Sequence, residues 1–331
     1  MSPAPRRITV VRRITQTLLF GLIVYGGFIF VRPLEHGRAE IVDESGYGGK
    51  YEVGRGVRLV EREKVRVDVN LPATSCHYQH RGMFSGCSLA FLSEHITWLT
   101  PLLFIVPQLL LVLVLMFVAG RLWCGWACPF GFLGDVLGWL RRLTGLDHWH
   151  LSRRWRNGLV WTKYVLLFAT IAVAVLAAVP ALGAQKNDLF LAFCQVCLGR
   201  YISPLLSGGV VCWTNFSNGI QGTLTILGLS FFGLFFLSFF VRRVYCRLCP
   251  IGGLTAVFNR YGLVSLNKVA QKCTYCGACA RVCAVDNLTV LDGGDGPVSA
   301  CECTLCLRCV EVCPEPDCLT FTFVGRRVTG S

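Results

Sequence analysis

The sequence predicts an α-helical polytopic membrane protein with a small cysteine-rich α+β domain at its C-terminal end. Three observations support this class. Hydrophobic residues make up 53% of the 331 residues and charged residues only 15%, and the mean hydropathy is +0.55. The apolar residues form long runs, and more than half of the 19 cysteines follow residue 272. A soluble domain usually carries about 25% charged residues and a disordered chain is far less apolar, so both classes are excluded.

Four apolar runs are long enough to cross a bilayer as a helix, which takes about 20 residues. They are residues 14–31, 98–120, 164–184 and 220–241. No small-residue cleavage site follows the first run, so we expect an uncleaved anchor. The chain then divides into residues 1–32 (N-terminus and first helix), 33–97 (periplasmic segment), 98–263 (membrane bundle) and 264–331 (cysteine-rich domain).

The distribution of basic residues predicts the orientation of these four helices. Arginine and lysine are concentrated before the first helix, in residues 121–163 and directly after the fourth helix, whereas 185–219 holds only Lys186 and Arg200. By the positive-inside rule, both termini and 121–163 are expected in the cytoplasm. The net charge of +13 is then explained by inside loops attracted to anionic lipid. A membrane is therefore the expected partner, and nucleic acid is not.

Cysteines in the last domain form two runs with the same C-x2-C-x2-C-x3-C spacing. This spacing is typical of two-cluster bacterial ferredoxins, in which the fourth ligand of each cluster comes from the other run. We therefore predict two [4Fe–4S] clusters, one held by Cys273, Cys276, Cys279 and Cys313 and the other by Cys303, Cys306, Cys309 and Cys283. Zinc knuckles need only four ligands at looser spacing, so they are the weaker interpretation. Cys301 and Cys318 are expected to be spare, buried thiols.

A repeated motif follows the second and the fourth apolar run. The two copies read Arg121-Leu-Trp-Cys124-Gly-Trp-Ala-Cys128-Pro129 and Arg243-Val-Tyr-Cys246-Arg-Leu-Cys249-Pro250. They indicate an internal duplication, and each leads into an amphipathic stretch, 130–143 or 251–261, expected at the inner membrane surface. The four cysteines could hold a third cluster or a soft metal, or act as reversible redox thiols, and the sequence leaves these alternatives open.

With these motifs, most of residues 98–331 resembles the NapH/MauN family of membrane ferredoxin-type proteins, which is related to the membrane part of NosR and to CcoG. The likeness is strongest at 121–143 and 272–318. It implies a bacterial inner-membrane protein that moves electrons between the quinone pool or a cytoplasmic ferredoxin-type donor and a membrane-anchored or periplasmic cytochrome or oxidoreductase. The flavin-attachment motif of NosR-like proteins is missing, so no covalent flavin is expected. The second motif has C-x2-C-P where the family usually has C-x3-C-P.

Five cysteines are expected on the outer face by this topology. They are Cys76, Cys87, Cys194, Cys197 and Cys212. Disulfides are the default in an oxidising periplasm. The pairs Cys76/Cys87 and Cys194/Cys197 could instead converge on a metal or a further cluster, helped by His77 or His80.

Two functions from different classes remain open. The first is an electron-transfer subunit without catalytic residues of its own, for which a quinone site near Glu94 and His95 is one option. No haem is expected, because no C-x-x-C-H motif occurs and no histidine lies within a predicted span. The second function is an assembly or maturation factor that reduces or delivers a metal such as copper, or supports cofactor maturation, for a periplasmic or membrane oxidoreductase. Only three methionines occur, which disfavours copper carriage.

Overall fold

The computed structural model shows a helical bundle joined to a small α+β domain. It describes residues 7–29, 31–32, 63–64, 67–73, 76, 83–99, 101–149, 151–179, 186–189, 191–207, 216–299 and 302–331. The expectations for Cys212, Cys301, His77 and His80 lie outside the described residues.

Three described helices are long and apolar enough to cross a membrane. They are α1 (Arg7–Ile29), α6 (Arg153–Ala178) and α10 (Gly219–Phe236), the last extended by a 3-10 turn at Leu237–Phe239. Helices α1 and α6 begin well before the apolar runs predicted for them. The side chain of Ser152 caps α6 by accepting a hydrogen bond from the backbone N–H of Trp155, which sets its early start.

At the second predicted span, residues 98–120, the apolar helix is shorter than the run. A turn separates α2 (Ser88–Thr97) from α3 (Leu102–Ala119), because Leu99 is left-handed (φ 50°) and Pro101 stands at the N-cap of α3. The apolar part Ile105–Ala119 is a shorter helix than the three membrane-spanning candidates. The structure therefore shows three such candidates, not four.

The two halves of the bundle repeat one arrangement. Helix α3 is followed by α4 (Leu122–Trp126) and α5 (Pro129–Leu143), and α10 is followed by α11 (Val244–Leu248) and α12 (Pro250–Tyr261). A proline opens α5 and α12, where its missing N–H leaves no helical hydrogen bond unmade. The helices predicted at 130–143 and 251–261 are thus both present.

The segments that connect the long helices fold back into the bundle. The described part of the first includes β1 (Val31–Arg32), β2 (Glu63–Lys64), β3 (Val67–Leu71), β4 (Phe84–Cys87) and α2; the second contains α7 (Lys186–Leu189), α8 (Ala192–Val196) and α9 (Leu198–Ser207). Helix α2 packs against α6, and α8 packs against α10. Leu198 and Tyr201 are fully buried, and the Tyr201 hydroxyl donates to the Thr225 carbonyl in α10 at 3.4 Å.

The C-terminal domain is α+β, as predicted. Its antiparallel sheet has the order β6 (Gly296–Pro297), β5 (Val264–Lys268), β7 (Leu319–Phe323) and β8 (Arg326–Gly330). Three short helices, α13 (Ala278–Val282), α14 (Thr289–Asp292) and α15 (Arg308–Val312), lie between β5 and β7. Both cysteine runs also lie between these two paired strands, so the sheet holds the ends of the two runs together.

Candidate metal centres

The two C-terminal cysteine runs share one backbone conformation. The residues two and four positions after the first cysteine are left-handed in both: Tyr275 (φ 53°) and Gly277 (φ 72°) in one, Leu305 (φ 49°) and Leu307 (φ 58°) in the other. This conformation is strained for tyrosine and leucine, and its repetition at matching positions marks a functional loop. Loops of this kind turn successive N–H groups to one side and form concave anion sites.

These loops bring the eight cysteines into two groups of four. The first group, Cys273, Cys276, Cys279 and Cys313, lines one cavity. The second group is Cys283, Cys303, Cys306 and Cys309, and electrostatic interactions connect Cys309 with the other three. Each group thus takes three cysteines from one run and one from the other. Cys309 also interacts with Cys279, so the two groups are neighbours.

The thiols of the second group lie in contrasting environments. A backbone N–H donates to Cys283 Sγ at 3.1 Å. Burial raises the pKa of Cys303 to about 12. Burial also opposes ionisation of Cys306, but the guanidinium groups of Arg12 and Arg308 outweigh it and hold the pKa of that thiol below its ordinary value. Within the second group, positive charge thus favours the thiolate of Cys306, while burial opposes ionisation of Cys283, Cys303 and Cys309.

Cys318 also lines the cavity of the first group, where the sequence indicated only a spare thiol. It is 2% exposed, and its Sγ donates to the Val269 carbonyl at 3.8 Å. The expected burial is confirmed. The pairing of the strands places Cys318 beside the first group, and the spacing of the cysteines does not predict this position.

The repeated Cys-Pro motifs form a third group of four cysteines. Cys124 lies in α4 and Cys246 in α11, while Cys128 and Cys249 are the N-caps of α5 and α12. Cys246 and Cys249 each interact electrostatically with both cysteines of the other motif. The Arg121 side chain is 1% exposed, donates to the Cys246 carbonyl at 3.4 Å and interacts with Cys124. The duplication thus places its two copies face to face around one site.

Asp135 of α5 connects this region with the N-terminal helix and the C-terminal domain. Its carboxylate accepts two hydrogen bonds from Arg243, at 3.0 and 2.6 Å, and forms ion pairs with Arg12 (3.0 Å) and Arg308 (3.7 Å). Burial alone would raise the pKa of Asp135, but Arg243, Arg12 and Arg308 together hold it well below its usual range. One carboxylate therefore joins α1, α5, α15 and the residue that precedes α11.

Gly125 brings the third group against the second. A Cβ on Gly125 would overlap the carbonyl oxygen of Thr304 and lie 3.5 Å from the backbone nitrogen of Cys306. The Trp126 indole N–H donates to the Leu305 carbonyl at 3.0 Å in the same contact. Glycine is needed here because two backbones approach each other directly.

Four of the five cysteines expected on the outer face are described, and they lie inside the bundle. Cys194 interacts electrostatically with Cys76, Cys87 and Cys197, which makes a fourth group of four. No disulfide joins the described cysteines, so the expected pairs Cys76/Cys87 and Cys194/Cys197 are not formed. Burial of this group depends on α2, α8 and α9 folding back between the long helices. In the sequence, the apolar stretch 189–206 is the feature that could have predicted this burial.

The spacing within these groups bears on the ligand. In the described parts of the chain, no three His, Cys, Asp or Glu side chains stand close enough to hold one metal ion. Four thiolates around a single zinc would lie about 4 Å apart, given a bond of about 2.3 Å and tetrahedral geometry. A [4Fe–4S] cube binds each thiolate to a different iron and separates them further. The described side chains therefore do not form a ready-made site for a single metal ion.

Comparison with known families identifies the class. Residues 98–147 and 223–268, which contain the two copies of the repeated motif, match a family described as a 4Fe-4S binding domain. The chain therefore contains segments of a 4Fe-4S binding domain together with several helices apolar enough for a membrane protein.

Individual relatives carry the same resemblance. The chain is 30% identical to Escherichia coli YccM over 69% of this chain and 58% of YccM. It is 29% identical to the ferredoxin-type protein NapH of Escherichia coli, over 64% of this chain and 66% of NapH. It is 28% identical to the methylamine utilization ferredoxin-type protein MauN of Paracoccus denitrificans, over 59% of each chain. These matches span less than two thirds of each relative, and they confirm the resemblance to ferredoxin-type membrane proteins. No solved structure matches the chain.

Proposed function

We propose that this protein is a membrane electron carrier that holds [4Fe–4S] clusters in its C-terminal domain. The observation that supports this proposal best is the matched pair of left-handed loops, which brings the eight cysteines into two groups of four. The ligands would be Cys273, Cys276, Cys279 and Cys313 for one cluster and Cys303, Cys306, Cys309 and Cys283 for the other. A bound cluster of this type accepts or releases one electron at a time without breaking a bond.

The protein residues set how readily each group accepts an electron. Hydrogen bonds to sulfur, burial and nearby charge tune the potential of such clusters. Arg12 and Arg308 lie close to Cys306 of the second group, and positive charge favours the more negative, reduced state. These two arginines would therefore favour the reduced state of the second group.

A third cluster in the Cys-Pro group, Cys124, Cys128, Cys246 and Cys249, extends this carrier into the bundle. Two observations support it. The family that matches both contributing segments is described as a 4Fe-4S binding domain. The buried guanidinium of Arg121 lies beside Cys124 and would offset the negative charge of bound thiolates. Electrons would pass between the quinone pool or a cytoplasmic donor and a membrane-anchored or periplasmic redox partner. A quinone site would lie near Glu94 and His95 in α2.

Iron counting and quinol titration test this function. Anaerobically purified protein should contain at least about eight irons, and about twelve if the third group is filled, with matching acid-labile sulfide. Added menaquinol should change the electron paramagnetic resonance (EPR) spectrum of the clusters. Zinc in place of iron would refute the electron carrier. Full clusters that never respond to quinol, with or without a partner, would favour the maturation factor.

A further inference from the structure

The fourth cysteine group, Cys76, Cys87, Cys194 and Cys197, has the features of a constructed site. Cys87 is the N-cap of α2, and its Sγ accepts a hydrogen bond from the Ala90 backbone N–H at 3.4 Å. Cys197 Sγ accepts one from the Gly199 N–H at 3.4 Å. A Cβ on Gly199 would lie 3.1 Å from Cys76 Sγ and 3.6 Å from Cys197 Sγ. Both sulfurs therefore face the same small space, which the glycine leaves open.

The turn that presents Cys197 occurs four times in the described chain. In each copy a left-handed residue opens a five-residue helix, and a cysteine with extended backbone follows the helix. The copies run from Leu191 through α8 to Cys197, from Arg243 through α11 to Cys249, from Gly277 through α13 to Cys283, and from Leu307 through α15 to Cys313. The last two end at proposed cluster ligands. The same local geometry thus serves all four cysteine groups.

The copies at α8 and α11 are the most alike. Leu191 (φ 49°, ψ 39°) and Arg243 (φ 44°, ψ 48°) each stand three residues before the first cysteine of the motif. An aromatic residue precedes that cysteine in both, in Leu-Ala-Phe-Cys-Gln-Val-Cys and Arg-Val-Tyr-Cys-Arg-Leu-Cys. A left-handed leucine is strained, and such strain persists where the surrounding structure requires it. Residues 191–197 therefore form another copy of the cysteine motif.

The fourth group lies directly beside the third. Cys197 Sγ and the Tyr245 hydroxyl are 3.6 Å apart, and Tyr245 immediately precedes Cys246. Electrostatic interactions also connect Cys87 with Cys128 and Cys197 with Cys249. Cys87, Cys194 and Cys197 are 4%, 7% and 9% exposed, respectively. Cys87 and Cys194 lie in one hydrophobic core with Cys128 and Cys249 of the third group.

We infer that Cys76, Cys87, Cys194 and Cys197 bind a further [4Fe–4S] cluster, so that the four groups form one row from the C-terminal domain into the bundle. Along the row, one electron leaves one group as the next group gains it, and no bond or proton changes. Electron transfer along the row rests on the proposed function, whereas cluster binding by the fourth group does not. A cluster in the fourth group would supply a cofactor between α6 and α10, where the sequence shows no haem motif.

Iron content of three variants tests the site in the full chain, purified anaerobically. Cys194→Ser should lose about a quarter of the iron and labile sulfide, because one of four clusters is missing. Gly138→Ala in α5, where a new Cβ meets nothing within 4 Å, should lose none. Cys283→Ser should lose a similar amount from the C-terminal domain and so reports on the proposed function separately. Unchanged iron in Cys194→Ser, with loss in Cys283→Ser, would overturn this inference alone.

A measurement on the unaltered protein covers the case in which Cys194→Ser does not fold. The protein is denatured with a chelator and no reductant, alkylated, and mapped by mass spectrometry. All four cysteines should be alkylated, since cluster ligands are released as thiols. A Cys76–Cys87 or Cys194–Cys197 disulfide would overturn the inference. The dithionite-reduced protein should also show EPR broadening from neighbouring clusters, and Cys194→Ser should lose the part that arises between the third and fourth groups.

Discussion

Single residues decide where the cysteine groups meet. Gly125 lets two backbones touch, and the left-handed Leu305 and Leu307 shape the loop on the other side of that contact. None of the three carries chemistry of its own. Their role is to place thiols and N–H groups at fixed positions, which determines how a bound cluster is oriented and how its potential is tuned.

Gly125→Ala should weaken the contact between α4 and the C-terminal domain. The new Cβ would overlap the Thr304 carbonyl, and overpacking of this kind costs about 1–3 kcal/mol. We expect a lower midpoint of thermal unfolding and faster loss of iron. The matched control is Gly138→Ala in α5, where a Cβ meets nothing within 4 Å and alanine favours the helix. Equal behaviour of the two variants would contradict the close approach.

Cys283→Ser tests whether the ligands cross between the two runs. If Cys283 belongs with Cys303, Cys306 and Cys309, then Cys283→Ser and Cys303→Ser should leave the same residual EPR spectrum, that of the first cluster. Cys273→Ser should leave the other spectrum. If each run held its own cluster, Cys283→Ser would instead match Cys273→Ser. The comparison needs only the assignment of two signals, not their absolute intensity.

At the scale of elements, the Asp135 carboxylate holds together helices that are far apart in sequence. Arg12, Arg243 and Arg308 come from the start of α1, the residue before α11 and the start of α15, and all point at this one side chain. Buried ion pairs contribute little net stability against an apolar alternative, but removing one partner leaves uncompensated charge. The arrangement therefore specifies how these elements dock more than it strengthens the fold.

Asp135→Asn should destabilise the protein by about 3–5 kcal/mol, because three partly or fully buried guanidinium groups lose their counter-charge. The control is Asp292→Asn, whose partner Arg153 is exposed, with an expected cost of about 0–1 kcal/mol. Thermal unfolding under identical conditions measures both. A cost for Asp135→Asn as small as that of the control would contradict the docking role.

The same carboxylate predicts a pH dependence. The pKa of Asp135 is depressed in the folded state by its arginines, so its stabilising effect is fully present above the unfolded pKa of about 4. The effect is lost as the pH falls towards the folded value. Thermal unfolding between pH 6 and pH 3 should therefore show a steeper loss for the unaltered protein than for Asp135→Asn. Parallel curves would show that this carboxylate is not the group responsible.

At the scale of the whole molecule, contacts between the ends of the chain constrain its topology. The Thr9 backbone N–H at the start of α1 donates to Glu311 Oε1 in α15 at 3.1 Å, so both lie on one side of the membrane. The segment between Thr9 and Glu311 would then cross an even number of times. Among the described residues, three helices qualify by length and composition, and α3 is a further long apolar helix. We therefore predict that α3 crosses as well, despite its shorter apolar length.

Reporter fusions test this topology. A fluorescent protein fused after Ser331 should be active and alkaline phosphatase inactive, because positive charge places that end in the cytoplasm. Fusions truncated after Gly145, between α3 and α6, should behave in the same way if α3 crosses. Fusions after Val179 should show the opposite pattern. Phosphatase activity after Gly145 would show that α3 does not span.

Much of this protein is determined by patterns that are local in the sequence. The long apolar helices, the cysteine runs and the duplicated Cys-Pro motif are readable because hydropathy and ligand spacing act over a few residues to about 20. The predicted membrane-helix boundaries were less accurate. Helix α6 begins at Arg153 because Ser152 caps it there, and run 98–120 is divided at Pro101, so capping and backbone geometry override composition.

Only the tertiary structure decided which cysteines meet. The sequence placed Cys76, Cys87, Cys194 and Cys197 on the outer face, as disulfides or as ligands of a metal or cluster. No local pattern reveals that α2, α8 and α9 fold back between the long helices. Burial of a short connecting segment depends on packing against other parts of the chain. Tyr201 of α9, for example, packs against α10 and donates a hydrogen bond to the Thr225 carbonyl there. The Asp135 ion pairs and the Gly125 contact join residues more than 100 positions apart for the same reason. Spacing thus determined the kind of ligand group, and long-range packing determined how many groups there are and that they lie in one row.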